Sequence, residues 1–242
     1  MAEFESIRST TRSDSNINID SGLRAHMNKV YGLMAVAMVI TGLVAWSIGT
    51  SPQLVGALFS NSIISLIVMF APLGFVFFLS ARVMKMSYSA GQLSFWLFSA
   101  LMGLSLSTIF VVYTGASIAN AFFTTAVAFG AMSLFGYTTK KDLSGMGRFL
   151  FMGVIGLIVA MIINWFTQSP GLEFAINVLG VLIFAGLTAY DTQNIKNTYL
   201  NIRSAPNGEE IAAKAGILGA LSLYINFLNM FMFLLQFMGN RE

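Results

Sequence analysis

The chain contains no cysteine, one histidine (His26), and charged residues at only 10% of its positions. Without cysteine there can be no disulfide framework, no thiolate metal site and no cysteine nucleophile. A lone histidine rules out a histidine-built zinc centre. The shortage of charge says most, because an ordinary soluble domain is about 25% charged. Hydrophobic residues make up 56% of the 242, with 22 Phe, 22 Gly and 15 Met against 4 Pro. A soluble core of this size cannot hide so much apolar surface, whereas a bilayer can. Basic residues exceed acidic ones by a narrow margin, 13 against 10, and no nucleic acid is expected as a partner.

Residues 1–26, MAEFESIRSTTRSDSNINIDSGLRAH, are polar and hold no apolar run. A secretory signal would need an apolar stretch of about 7–15 residues behind a positive start. The segment is therefore expected to be a disordered cytoplasmic tail, with His26 and Lys29 at the membrane edge. Residues 27–242 are expected to form a single membrane domain. Its seven apolar runs are Met27–Gly49, Ala57–Ser80, Gln92–Tyr113, Ala116–Tyr137, Gly147–Phe166, Leu172–Tyr190 and Ala215–Met238. Each is close to the roughly 20 residues that span about 30 Å of hydrocarbon as a helix. Helices they must be, since lipid offers a bare backbone N–H or C=O no partner. The fold class follows: all-α, a polytopic seven-transmembrane-helix bundle. Pro72 should kink the second run. The tight connections at Thr114–Gly115 and Thr167–Gly171 make hairpins of runs three and four and of runs five and six.

Basic residues set the orientation. Arg8, Arg12, Arg24, Lys29, Arg82, Lys85, Lys140, Lys141, Arg148, Lys196, Arg203 and Lys214 lie in the tail and the even-numbered connections. The odd connections and the C-terminal tail hold Arg241 alone. Basic loops stay cytoplasmic, which puts the N-terminus inside and the C-terminus outside. Small residues at helical spacing, Ser99, Gly103 and Ser107 in the third run and Gly153, Gly156 and Ala160 in the fifth, read as close-packing faces.

Two runs carry polar stripes. In the seventh, Gly219, Ser222, Asn226, Asn229, Phe233, Gln236 and Asn240 recur at three- and four-residue steps and share one face. In the sixth, Asn177, Gly180, Phe184, Thr188, Asp191 and Asn194 align likewise. Facing stripes of this kind must meet each other, water or an ion, because unsatisfied amides in a bilayer are costly. They serve either plain interhelical hydrogen bonding or an ion path. Asp191 stands apart, as a charged side chain inside hydrocarbon costs about 2.5–3.5 kcal/mol on insertion scales and is functional by default. It ends the sixth run and needs a cation. Lys196 faces away on a helix, so Arg82, at the same edge of the second run, is the better partner for a latch.

The segments GLTAYDTQNIKN (Gly186–Asn197), LFGYTTKKDLSGMG (Leu134–Gly147) and LGALSLYINFLNMFMFLLQFMGN (Leu218–Asn240) resemble the transmembrane Bax inhibitor motif family. The short bacterial members are the most similar, and the resemblance covers nearly all of the chain after the tail. It implies a seven-helix bundle with the last helix near the centre, in a bacterial inner membrane. It also implies a pH-sensitive calcium leak with a role in stress response, governed by aspartates on the sixth and seventh helices and an arginine on the second. Asp191 matches the first aspartate, which the resemblance implies is a calcium ligand, and Arg82 is the best match for the arginine. Where the family pattern reads Leu-Tyr-x-Asp-Phe, this chain has Leu223-Tyr224-Ile225-Asn226-Phe227. Two close carboxylates share a proton, whereas an Asp191–Asn226 pair resembles the half-protonated state made permanent.

Other classes fit less well. A retinal-type receptor needs a mid-helix lysine, which no run supplies, and one His with one embedded Asp cannot build a membrane metallohydrolase. No enzyme is expected, nor any cofactor beyond calcium and protons as ions in transit. The competing reading is a non-conducting modulator of membrane-protein quality control that binds a membrane-bound AAA protease, as some bacterial relatives do, through the polar tail.

Cysteine labelling should place residues 81–91, 138–146 and 192–213 in the cytoplasm and the Ser51–Gly56 and Ser169–Gly171 turns outside. Asn240 on the cytoplasmic side would mean six crossings and a re-entrant last segment.

Overall fold

The computed structural model describes residues 2–240, with side chains from Ser21 onward. Its helices are α1 (Ala2–Gly49), α2 (Pro52–Phe59), α3 (Ser62–Arg82), α4 (Tyr88–Leu106), α5 (Ile109–Val112), α6 (Gly115–Thr138), α7 (Ser144–Thr167), α8 (Pro170–Ile202) and α9 (Gly208–Met238). A single 3-10 turn, Val83–Lys85, joins α3 to α4. Seven spans are long and apolar enough to cross a membrane, and no strand occurs among the described residues. Most of the tail expected over residues 1–26 lies outside the residues whose side chains are described. From Ser21 to His26 the chain is already helical, with Leu23 and His26 buried.

Breaks between helices fall where a side chain takes over the orphan backbone donors of a helix start. Asn61 accepts from Ile63 N at 2.9 Å and Ile64 N at 3.3 Å, and so splits the expected second run into α2 and α3. Ser87 caps α4, Thr114 caps α6 and Ser169 caps α8, the last just ahead of Pro170 in the first turn. Pro72 lies inside α3, which runs on across it.

The ends of the last two spans differ from the sequence expectation. α8 continues past Tyr190 to Ile202, because Thr192, Gln193 and Ile195 still bury side chains against neighbouring helices. Asp191 is therefore inside a helix rather than at its end. α9 begins before Ala215, at Gly208, and runs unbroken to Met238, with no dip and return. Both exceed the ~30 Å of hydrocarbon at 1.5 Å per residue.

α9 is the centre of the bundle. Its span is 72% buried, against 39% for α8 and 11% for α3 and α7. It touches α1, α4, α6 and α8. The α7–α8 hairpin packs as expected, but the third and fourth spans separate after their tight turn: α4 lies on α1 and α3, while α6 lies on α8 and α9. Tyr224, fully buried on α9, meets the edges of Phe95 and Phe98 at 5.7 Å and shares a 2.6 Å hydrogen bond with Thr41 of α1. The small stripe on α4 does pack closely: Thr41 Oγ1 donates to Ser99 O at 2.9 Å, and a β-carbon on Gly103 would come 2.7 Å from Thr41 O. In the stripe on α7, Gly153 approaches Ile183 but Gly156 faces open space.

The tightest approach joins α6 to α8, where a β-carbon on Gly136 would run into the backbone of Ala189. Gly136→Ala should cost about 1–3 kcal/mol through overpacking, read as a lower melting temperature in detergent. Gly74→Ala, with nothing within 4 Å of the added carbon, should be neutral or slightly stabilising.

Candidate functional site

The stripes on α8 and α9 face each other. Asn226 Nδ2 donates to Asp191 Oδ2 at 2.7 Å, with both residues buried. The Ser222 hydroxyl, one turn back on α9, reaches the same carboxylate. Two glycines let the helices come this close: a β-carbon on Gly219 would sit 2.7 Å from Ile195 Cγ1, and one on Gly180 would sit 2.5 Å from the Phe233 ring. A carboxylate in such surroundings is kept only because donors replace its lost water.

Asp191 and Ser222 lie between two cavities and line both. One, about 210 Å³, opens toward the end where α8 gives way to α9 and is also lined by His26, Asn194, Thr198 and Ala215. The other, about 380 Å³, lies deeper between α7, α8 and α9, where Asn226, Asn229 and Phe233 join them among apolar α7 residues. In its wall Phe184 and Phe233 stack with centroids 6.0 Å apart. The geometry is that of two chambers with a hydrogen-bonded carboxylate between them and a stacked aromatic pair in the wall of the deeper one.

The remaining expected residues divide. Asn229 is half-buried in the deeper cavity, its Nδ2 donating to Ile225 O at 2.8 Å. Thr188 is buried but spends its hydroxyl on Phe184 O, 2.8 Å away. Asn194 lines the outer chamber from an exposed position, and Gln236 is exposed past the end of both chambers. Asn177 is 3% exposed, and its Oδ1 accepts no hydrogen bond from the described residues.

Arg82 requires a correction. It is exposed at the end of α3, and no ion pair among the described residues joins it to Asp191. The reason is packing: α3 lies on α4 and α2, not on α8. Asp191 is met by amide and hydroxyl instead of guanidinium. His26, read from sequence as an interfacial residue, stacks on Tyr199 at 4.6 Å and shares the outer chamber with Asp191. Gln193 was not foreseen. Its Oε1 accepts from Leu143 N at 2.8 Å and its Nε2 donates to Lys141 O at 2.7 Å, which pins the α6–α7 connection. The only cue in sequence was an amide inside a run that continues an apolar helix.

A family model described as inhibitor of apoptosis-promoting Bax1 matches residues 23–242. An Escherichia coli (strain K12) protein called inner membrane protein YbhL is 46% identical over 233 residues, covering 96% of this chain and 98% of its own. A Caulobacter vibrioides protein is 44% identical over 244 residues, covering 97% and 96%. One from Rickettsia prowazekii is 40% identical over 235 residues, covering 97% and 98%.

Asn226→Ala leaves the buried carboxylate short of a donor and should cost about 1–3 kcal/mol. Arg82→Ala should leave stability unchanged. Detergent unfolding of each variant, alone and combined with Asp191→Ala, separates them: Asn226 should couple to Asp191 and Arg82 should not. Coupling of Arg82 to Asp191 would reinstate the latch.

Proposed function

The chain belongs to the family described as inhibitor of apoptosis-promoting Bax1, and from that premise we propose that it is a calcium-permeable leak of the inner membrane, closed at Asp191 and Asn226. One observation carries the reading: a buried carboxylate, bonded across two helices, lines the chambers on both of its sides. Purely structural hydrogen bonding between helices needs no cavity on either side of the bond. The inner-membrane assignment rests on the name of the Escherichia coli relative and on the seven apolar spans.

A cation would enter the chamber at the basic-rich end and meet one carboxylate with the hydroxyl of Ser222 and the amide oxygen of Asn226. Calcium takes six to eight oxygen ligands, so water must supply the rest. A site with a single negative charge binds weakly, which suits passage better than storage, since conduction needs an ion that can leave. To pass, the ion must compete with Asn226 for Asp191 Oδ2. The stacked Phe184 and Phe233 then form an apolar constriction of the kind that closes by dewetting. Closure on this reading requires neither Arg82 nor a second carboxylate.

Substituting Asn226 is the decisive experiment. In liposomes loaded with a calcium dye, Asn226→Asp should tighten calcium binding and give the flux a pH dependence within about pH 5–8, because two close carboxylates share one proton. The native protein should show a shallower response, and Asp191→Asn should remove it. Equal flux and equal pH profiles for the native protein and Asn226→Asp would put position 226 off the path. Silence of every variant at every pH would replace conduction by the non-conducting modulator.

A further inference from the structure

A second cavity, of about 660 Å³, lies between α1 and α6, away from the chambers at Asp191. It falls within the ~300–1,000 Å³ typical of small-molecule sites. One wall is a helical stripe of α1, Arg24, Met27, Asn28 and Tyr31, and the other is a stripe of α6 running from Phe129 through Ser133 to Tyr137. The two helices lean on different neighbours, α1 on α4 and α9 and α6 on α8 and α9, which leaves a slot between them. Its floor is polar: the Tyr31 and Ser133 hydroxyls are hydrogen-bonded, and Ser133 bonds Thr192 of α8 at 3.0 Å. Gly130 lines the slot, and a β-carbon there would meet nothing within 4 Å.

Polarity along the slot is graded. At the mouth, beside the C-terminal end of α6, stand Arg24, Asn28 and Tyr137. Lys196 is not part of the lining but holds Tyr137 in place, its Nζ donating to Tyr137 O at 2.8 Å and lying 5.6 Å from the ring centroid. Farther in, the walls are Met27, Phe129 and Leu134 around the open face of Gly130. An occupant must therefore be anionic at one end and apolar for the rest of its length. A basic pocket between transmembrane helices at the basic-loop side is also the chemistry that holds acidic lipid head groups.

We propose that the α1–α6 slot is a selective site for an anionic phospholipid, with its phosphate at Arg24 and Asn28 and one acyl chain along Phe129, Gly130 and Leu134. Tyr31 and Tyr137 flank the glycerol region, where amphipathic rings are favoured. A chain-length side chain at position 130 would fill the slot from within the protein.

Native mass spectrometry of the delipidated full-length protein, titrated with phosphatidylglycerol or phosphatidylcholine, tests this. One phosphatidylglycerol should be retained at least about tenfold more tightly than phosphatidylcholine and should raise the melting temperature, since a ligand bound only to the folded state stabilises it. Gly130→Leu should lose that retention about tenfold without lowering the lipid-free melting temperature. Arg24→Gln should keep lipid binding but abolish the preference for the anionic head group. Glycerol phosphate at the same concentration should not displace the lipid. Equal retention of the two lipids by the native protein, or retention untouched by Gly130→Leu, would overturn the proposal. So would displacement by glycerol phosphate, which would mark a plain anion site. A dimer that Gly130→Leu splits would also overturn it, making a second copy of the chain the occupant.

Discussion

A carboxylate inside a helix bundle must be met by donors from an adjacent helix, and that requirement governs how α8 and α9 lie together. The 2.7 Å bond from Asn226 to Asp191 can form only if the two backbones are close. Closeness in turn needs Gly219 under Ile195 and Gly180 under Phe233, one on each side of the bond. Once α8 and α9 are locked this way, α9 occupies the middle of the molecule and the other helices arrange themselves on what remains of its surface. α1 and α4 close over Tyr224, and α6 closes over Phe227. α3 and α7 are left as outriders with most of their surface facing outward.

Asparagine at position 226 changes the character of the lock. An aspartate there could meet Asp191 only by sharing a proton, so the contact would be made and lost with protonation. The amide donates whatever the pH, since it does not titrate. The bond is then a standing mechanical constraint, and opening it requires a competitor for Asp191 Oδ2, either water or a cation. Both have access, because Asp191 and Ser222 are exposed to the chamber shared with His26. On the proposed reading, control of this site would pass from charge repulsion toward hydration and ion occupancy.

Much of this was legible in sequence, and the failures have physical causes. Composition and run length were enough for a seven-span helical bundle, because a bilayer leaves the backbone no alternative. The stripe Ser222–Asn226–Asn229 pointed to the face of α9 that meets α8, since period and polarity agreed. Hydropathy could not place the ends of α8 and α9: Thr192, Gln193 and Ala212 are polar or small but buried by neighbours the sequence does not reveal. Arg82 was paired with Asp191 on the grounds of charge and a shared membrane edge, yet which helices touch is a matter of packing, and α3 chose α4. His26 was discounted as interfacial for the same reason, its burial being created by Tyr199 and α9.

The two closures on the proposed path differ in what opens them. At Asp191 the obstacle is a hydrogen bond, and water arriving through the outer chamber can replace one donor with another at little net cost. At Phe184 and Phe233 nothing polar can be exchanged; the rings stack, and Phe233 fills the space that the missing side chain of Gly180 leaves. Rearranging that pair means moving packed atoms rather than swapping partners, and tightly packed interiors resist such movement. Asn177, one turn beyond Gly180 on α8, holds a buried acceptor without a donor among the described residues. An unmet carbonyl is an expense a membrane helix seldom carries. Of the two contacts the aromatic pair is thus the stiffer, because it has no partner to exchange.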